Sequence, residues 1–333
     1  MIAEYLTLST EQRTQLLSQT ASRMGVAPVI VEKDFWVSAV LGLLFNHPET
    51  KHSFVFKGGT SLSKVYGAIQ RFSEDIDLIM DWRLLGIGGQ ESDPWDTKRS
   101  RTKQDAFNKG FGEQTNEYLR SAFVPFLRSE LPNVLEVSVS DTVDQGIVIR
   151  YPAVYRSDYV QDGVLLEIGP LASWVPWVWK TIVPEVSLHY PQILGNEEIP
   201  VKVTTVERTF WEKVTIAHGT AHSGKKIPGR YARHYYDIVM LSRAGVAEAA
   251  LRDLPLLQSV AEFKERFYPS RVARYDLARP GTIRLLPDEA QLNELARDYR
   301  RMETMFYGSP PEWQVLVDEL RALEQTLNNS EGK

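Results

Sequence analysis

Two carboxylates one residue apart stand in Phe72-Ser-Glu-Asp-Ile-Asp-Leu78, shortly after the turn-like run Phe56-Lys-Gly-Gly-Thr-Ser-Leu-Ser-Lys64. Ile76, Leu78 and Met80 alternate with Asp75, Asp77 and Ile79, which is a strand pattern. Residues two apart on a strand share a face. Asp75 and Asp77 therefore project together, with Ile76 and Leu78 opposite. Hard carboxylate oxygens suit Mg²⁺, with Mn²⁺ as the alternative, and Mg²⁺ usually sits on one or two carboxylates plus substrate phosphates. Two such ions about 3.5–4 Å apart stabilise the attacking and leaving oxygens of an in-line displacement. Asp-x-Asp alone also describes a strand edge with two solvated acids. The glycine turn upstream is what gives the pair its weight.

That turn must present backbone to an anion. Ser53-Phe-Val-Phe56 is a short apolar run of the kind a buried strand shows. Gly58-Gly59 ends it, and glycine permits positive φ and close approach of a ligand to the main chain. Thr60-Ser61 is then expected to cap a helix running through Leu62, Val65 and Ile69. A helix start offers unpaired N–H groups and a positive dipole end, which favour a triphosphate. Gly58, Gly59, Thr60, Ser61 and Lys64 are the nucleotide-binding candidates, with Ser61 and Ser63 adding hydroxyl donors. The run is not a Walker A loop, because Lys64 does not fit Gly-x-x-x-x-Gly-Lys-Ser/Thr.

Two further charges lie on apolar helical faces. Thr204-x-x-Glu207 reads as a capping box opening a helix. Val206, Phe210, Lys213 and Ala217 then share one narrow face. A lysine there must snorkel outward or meet an anion. That anion is either a structural carboxylate or a triphosphate, whose charge an ammonium neutralises. Glu207 lies well round the helix and caps rather than catalyses. Asp237 shares a face with Met240, Leu241 and Ala244, and needs a partner. Lys213 is the natural one, and Arg233, one turn earlier on the same helix, is the competitor.

Taken together, Gly58-Gly59-Thr60-Ser61 and Asp75-x-Asp77 resemble the opening of the DNA polymerase β-like nucleotidyltransferase superfamily. The closer resemblance is to the AbiEii/AbiGii toxin family, the toxins of type IV toxin–antitoxin and phage-abortive-infection systems. Val31-Glu-Lys-Asp-Phe-Trp36 looks like that family's amino-terminal helix. Val206-Glu-Arg-Thr-Phe-Trp-Glu-Lys213 and Arg233-His-Tyr-Tyr-Asp-Ile-Val-Met-Leu241 look like its third and fourth motifs. Asp298-Tyr-Arg-Arg-Met302 and the helix ending in Leu327-Asn328 look like its tail. The resemblance implies that Lys213 and Asp237 belong to the active site. It also implies a third strand acid, for which Gly163-Val-Leu-Leu-Glu-Ile-Gly169 is the best candidate strand. Glu167 would join Asp75 and Asp77 as metal ligand or as general base. The bland alternative is an exposed acid on a sheet.

The remaining sequence is that of an enzyme without a membrane anchor. A chain of 333 residues with 43% hydrophobic content can build about two domains. No cysteine is present, so disulfides and thiolate metal sites are excluded. No signal peptide and no apolar run of membrane-spanning length is seen, and cytoplasmic residence is the expectation. A net charge of −5 argues against a general nucleic-acid coat. Two local patches remain, Lys98-Arg-Ser-Arg-Thr-Lys103 and His222-Ser-Gly-Lys-Lys226 continuing to Arg230 and Arg233. Each either grips RNA or is solvated surface. Trp174, Trp177 and Trp179 either stack bases or pack the sheet against the second half. Gly86-Ile-Gly-Gly89 through Pro94 reads as an irregular loop near the site.

The fold class expected is α+β: a mixed sheet with flanking helices, plus a helical carboxy-terminal domain. The boundary falls near residue 200, giving 1–200 as the core with an amino-terminal helical region and 201–333 as the helical domain. It is soft, because Lys213 and Asp237 must meet the carboxylates across it. The expected activity is Mg²⁺-dependent transfer of a nucleotide from a nucleoside triphosphate. By resemblance the acceptor is the tRNA 3′ end and a cognate antitoxin restrains the toxin, acting without direct contact if the type IV label holds. Two other classes fit the acid pair: a small-molecule nucleotidyltransferase of the antibiotic-modifying kind, and a nucleotide-binding regulator with little turnover.

Overall fold

The computed structural model describes residues 1–86, 93–96, 98–157, 160–169 and 176–330. Contacts divide the chain into two compact units. The first comprises Met1–Val65 and Phe72–Thr204, the second Tyr66–Arg71 and Thr205–Lys333. Part of the loop expected at Gly86–Pro94, and Trp174, lie outside the described residues.

The first unit opens with α1 (Ile2–Thr7), α2 (Thr10–Met24) and α3 (Pro28–Asn46). A capping box of Ser9 and Gln12 starts α2, and Gly25, at φ +69°, ends it. Gly25 is why the amino-terminal helical region is two long helices and not one. Pro28 occupies the first turn of α3, where its missing N–H costs nothing. Most of α3 is buried on all sides, as expected of a helix that is apolar all round. Glu32 and Lys33 are buried inside that apolar surface.

There follow β1 (Phe54–Lys57), α4 (Gly58–Lys64), β2 (Ile76–Met80), α5 (Arg101–Tyr118) and α6 (Val124–Glu130). A π-helical turn at Leu119–Phe123 joins α5 to α6. Next come β3 (Glu136–Val139), β4 (Gly146–Arg150), β5 (Val164–Gly169) and β6 (Trp177–Ile182), then α7 (Glu185–His189), α8 (Pro191–Leu194) and β7 (Ile199–Thr204). The seven strands form one sheet in the order β3-β4-β5-β2-β1-β7-β6. β2 runs antiparallel to β1 and parallel to β5. β1 and β7 are parallel, and the outer pairs are antiparallel. The sheet is mixed and flanked by helices, the α+β class expected. Strands β6 and β7 were not foreseen from the sequence.

Trp177 and Trp179 lie on edge strand β6 at 38% and 43% exposure, which goes against a packing role for both rings. Trp179 meets Phe45 of α3 edge-on, and the Lys202 ammonium stands 4.4 Å from the Trp177 ring centroid.

The second unit is helical: α9 (Val206–Ser223), α10 (Ala232–Arg243), α11 (Val246–Leu251), α12 (Leu254–Phe267), α13 (Glu289–Arg301) and α14 (Trp313–Asn329). The cap of α9 is Thr205, whose hydroxyl accepts from Arg208 N, so the box expected from Thr204 and Glu207 does not form. Thr204 is instead the last residue of β7. The tail motifs act as staples. Asp298 of α13 accepts from the N–H groups of Arg230 and Ala232 at 2.7 and 2.8 Å, capping α10, which has no side-chain cap of its own. The Asn328 side chain bonds both the N–H and the C=O of Ile283. Among the described residues no helix is long and apolar enough to cross a membrane.

A charged hydrogen bond to backbone is worth about 1.5–3 kcal/mol, and loss of a helix cap about 1 kcal/mol. Asp298→Ala should therefore remove about 2 kcal/mol from the helical unit. A urea titration followed by far-ultraviolet circular dichroism checks this, and an unchanged midpoint would contradict the capping role.

Candidate active site

The acids come together through strand register. In the parallel pair of β2 and β5, Ile76 is opposite Leu166 and Asp77 opposite Glu167. Ile76, Leu78, Leu166 and Ile168 are buried, while Asp77 and Glu167 are half-buried on the other face. Asp75 lies one residue before β2, outside the ladder. Its position is set by its flanks: the Thr60 hydroxyl donates to the Asp75 carbonyl at 2.7 Å.

The Asp75 carboxyl is pushed up to about 7. Burial is the main cause, followed by the negative charges of Glu74, Glu167 and Asp77, with Lys33 opposing them. This is the signature of like charges gathered at one place. Among the described residues no group of three acids or histidines is drawn together into a ready-made metal cage. The donor set nevertheless suits a hard divalent cation: carboxylate oxygens only, crowded enough to repel one another. Asp75, Asp77 and Glu167 are the residues that would hold it.

Gly58 stands directly against this set. Its φ is +81°, and a Cβ there would lie 1.9 Å from Asp77 Oδ2. No side chain fits without displacing the carboxylate. Helix α4 begins at Gly58, two residues earlier than the expected cap, and stops at Lys64 short of Ile69. Thr60 and Ser61 consequently lie inside the first turns. Their hydroxyls are engaged with the carbonyls of Asp75 and Gly58, and the Ser63 hydroxyl with that of Thr60. Lys64 turns to Asp34, at 2.5 Å, and to the carbonyl of Val183. These side chains shape the turn. The first backbone N–H groups of α4 have no intrahelical partners.

Lys213 and Asp237 belong to the second unit, and they do meet. The Lys213 ammonium lies 2.7 Å from Asp237 Oδ2. Asp237 has a second partner that the sequence reading missed. Arg71 grips it bidentately, Nε to Oδ1 and Nη2 to Oδ2, both at 2.7 Å. Arg71, not Arg233, is thus the competing cation. All three groups are buried. Two cations share one carboxylate. Burial raises the Asp237 carboxyl, but Arg71 and Lys213 outweigh it and hold it far below its ordinary value. Burial, then Arg71 and Arg233 against the opposing Asp237, lowers Lys213. His234 is held neutral by burial and by Lys213 and Arg233. No short-range sequence signal points to Arg71, which stands 166 residues from its partner.

The mixed sheet places Asp77 beside Glu167, with Gly58 against Asp77. The family model described as nucleotidyl transferase AbiEii toxin, type IV toxin–antitoxin system, matches residues 42–329, and the chain belongs to this family. It is a nucleotidyltransferase of the type IV toxin class. The match begins after Val31–Trp36, so that motif lies outside the matched span. Among solved structures, MenT4, a nucleotidyltransferase toxin from Mycobacterium tuberculosis H37Rv, is similar in fold. The TM-score is 0.51 at 16% sequence identity, over 98% of this chain and 91% of that one. No curated protein sequence matches the chain.

Two predictions follow from the geometry. Gly58→Ala should leave the fold intact and displace the Asp77 carboxylate, lowering nucleotidyl transfer by roughly 10²-fold, the scale of a misplaced catalytic group. Steady-state kinetics beside a melting curve checks both halves. The second concerns Asp75. Unfolded, it ionises at its ordinary 3.8; folded, at about 7. Between those values the folded state binds the extra proton, so stability falls as pH rises through that window. Asp75→Asn lacks this slope. Its Tm should match wild type near pH 4 and exceed it by a growing margin up to pH 7–8. Differential scanning calorimetry across pH would refute this if the two curves ran parallel.

Proposed function

We propose that the chain transfers a nucleoside monophosphate from a nucleoside triphosphate to an RNA acceptor, the tRNA 3′ end, in a Mg²⁺-dependent reaction. The observation that carries this is the register of Asp77 beside Glu167, with Asp75 coupled to both and Gly58 closed against Asp77. A divalent ion held by these carboxylates supplies Lewis acidity at the α-phosphate and charge neutralisation of the departing pyrophosphate. Backbone N–H groups from Gly58 to Ser61 orient the phosphates. The acceptor hydroxyl oxygen bonds to the α-phosphorus as the bond to pyrophosphate breaks. Glu167 either takes the hydroxyl proton or completes the ligand set.

Lys213 enters on its family motif. Lys64 is assigned no phosphate, since Asp34 holds it. The family implies a cognate antitoxin, which we propose restrains growth arrest without binding the toxin. The cytoplasm is the compartment this reading requires.

The test uses purified protein, total tRNA, Mg²⁺ and each α-³²P nucleoside triphosphate in turn. Label should enter tRNA from a preferred nucleotide. Asp77→Ala and Lys213→Ala should each lose roughly 10²–10³-fold, the usual scale for removing a charge-stabilising group. Glu167→Gln should lose its pH dependence if the carboxylate is the base, and its Mg²⁺ dependence should shift if it is a ligand. Pyrophosphate release without labelled RNA would move the acceptor to a small molecule. No turnover with any nucleotide would reduce the protein to a nucleotide-binding regulator.

A further inference from the structure

Lys33 lies on α3 at 1% exposure, in one of the most apolar helices of the chain. Its ammonium has three acceptors: Glu74 Oε2 at 3.3 Å, the carbonyl of Gln161 at 2.9 Å, and the carbonyl of Gly163. An ammonium has three hydrogens, so its donors are fully used. Glu74 Oε2 also accepts from Gln161 N at 2.9 Å, which closes the ring Lys33–Glu74–Gln161.

The place of this ring matters more than its chemistry. Glu74 is the residue before Asp75, and Gln161 and Gly163 are on the chain entering β5, which carries Glu167. The β2–β5 ladder is registered from Ile76 opposite Leu166 onward. Asp75 and the entry to β5 therefore lie outside the ladder, where strand hydrogen bonds do not fix their separation. Gly163 is already pressed on one side: at φ +121°, a Cβ there would lie 2.9 Å from the Ile149 carbonyl of β4. Lys33 holds it from the other.

We infer that Lys33 is a positioning residue of the acid site: it clips the entries of β2 and β5 together and so sets the spacing of Asp75 against Glu167 and Asp77. This rests on the reading of those acids as the metal-holding site. The role needs lysine specifically. Three acceptors converge on one point, which suits a compact ammonium; a planar guanidinium directs its donors as a fork. A pair that merely neutralised buried charge would not need either carbonyl.

The experiment is a Mn²⁺ titration by electron paramagnetic resonance, on full-length wild type, Asp77→Ala, Lys33→Arg and the charge-neutral double variant Lys33→Met/Glu74→Gln. Circular dichroism and Tm confirm folding of each, and steady-state kinetics run beside the titration. Loss of an outer-shell partner typically weakens metal binding by about 10–100-fold. The folded double variant should show a loss of about tenfold or more, with kcat reduced and KM for the triphosphate within about twofold of wild type. Lys33→Arg keeps the charge pair and should still lose about fivefold or more, since it breaks the geometry. Should the double variant fail to fold, Lys33→Arg alone decides. Mn²⁺ affinity within about twofold of wild type in the folded variants would overturn the inference and leave the acid site standing. Wild type without Asp77-dependent Mn²⁺ binding would overturn the acid-site reading, and the role of Lys33 with it.

Discussion

Holding the half-buried Asp75 near the negative charges of Glu74, Glu167 and Asp77 is the constraint that the first unit has to meet. Carboxylates on adjacent parallel strands gain nothing from each other, and burial makes the repulsion worse. They stay because their backbones are committed. Asp77 and Glu167 are fixed by the ladder that buries Ile76, Leu78, Leu166 and Ile168 on the opposite face. A slip of one residue would exchange those apolar side chains for the acids. Asp75 lacks that protection and depends on Thr60 and on the ring around Glu74.

Helix α3 carries much of that support. Its consecutive charges Glu32, Lys33 and Asp34 each address a different segment. Glu32 accepts the N–H groups of Val154 and Tyr155, Lys33 joins the β2 and β5 entries, and Asp34 takes Lys64 at the end of α4 and Glu185 N at the start of α7. Three consecutive side chains of one helix thus tie it to three different parts of the first unit.

Local pattern made the central elements legible. Alternation located β2 with Asp77, the family resemblance pointed to β5 with Glu167, and helical spacing put Lys213 and Asp237 on inward faces. The same cue was available at Lys33, a lysine within an apolar helix. There it is hidden, because Val31–Trp36 has apolar residues on every side and no single face for the charge to interrupt. Arg71 was not legible at all, since its partner is remote in sequence and its own neighbourhood is irregular. Strands β6 and β7 were missed for a different reason. Their tryptophans and proline read as punctuation, and only the pairing of β7 with β1 and of β6 with β7 reveals them as strands. The cap expected at Thr60 and Ser61 falls elsewhere, because α4 already starts at Gly58 and both hydroxyls donate to backbone carbonyls.

The segment Tyr66–Arg71 has a consequence for synthesis. Arg71 leaves the ribosome long before Asp237, and β1 long before β7, its parallel neighbour in the sheet. Domains generally fold as units during translation, amino-terminal first. Here the first unit cannot close its sheet until residue 204 has emerged, and Arg71 waits longer still for its carboxylate. The nascent chain therefore carries Asp75 and Asp77 for most of its elongation without the buried ion cluster of the second unit. A chain truncated after Thr204 would strand a guanidinium that the complete protein buries. The charge network is complete only once residue 237 has emerged, and a chain that stops at Thr204 lacks Lys213 and Asp237 together.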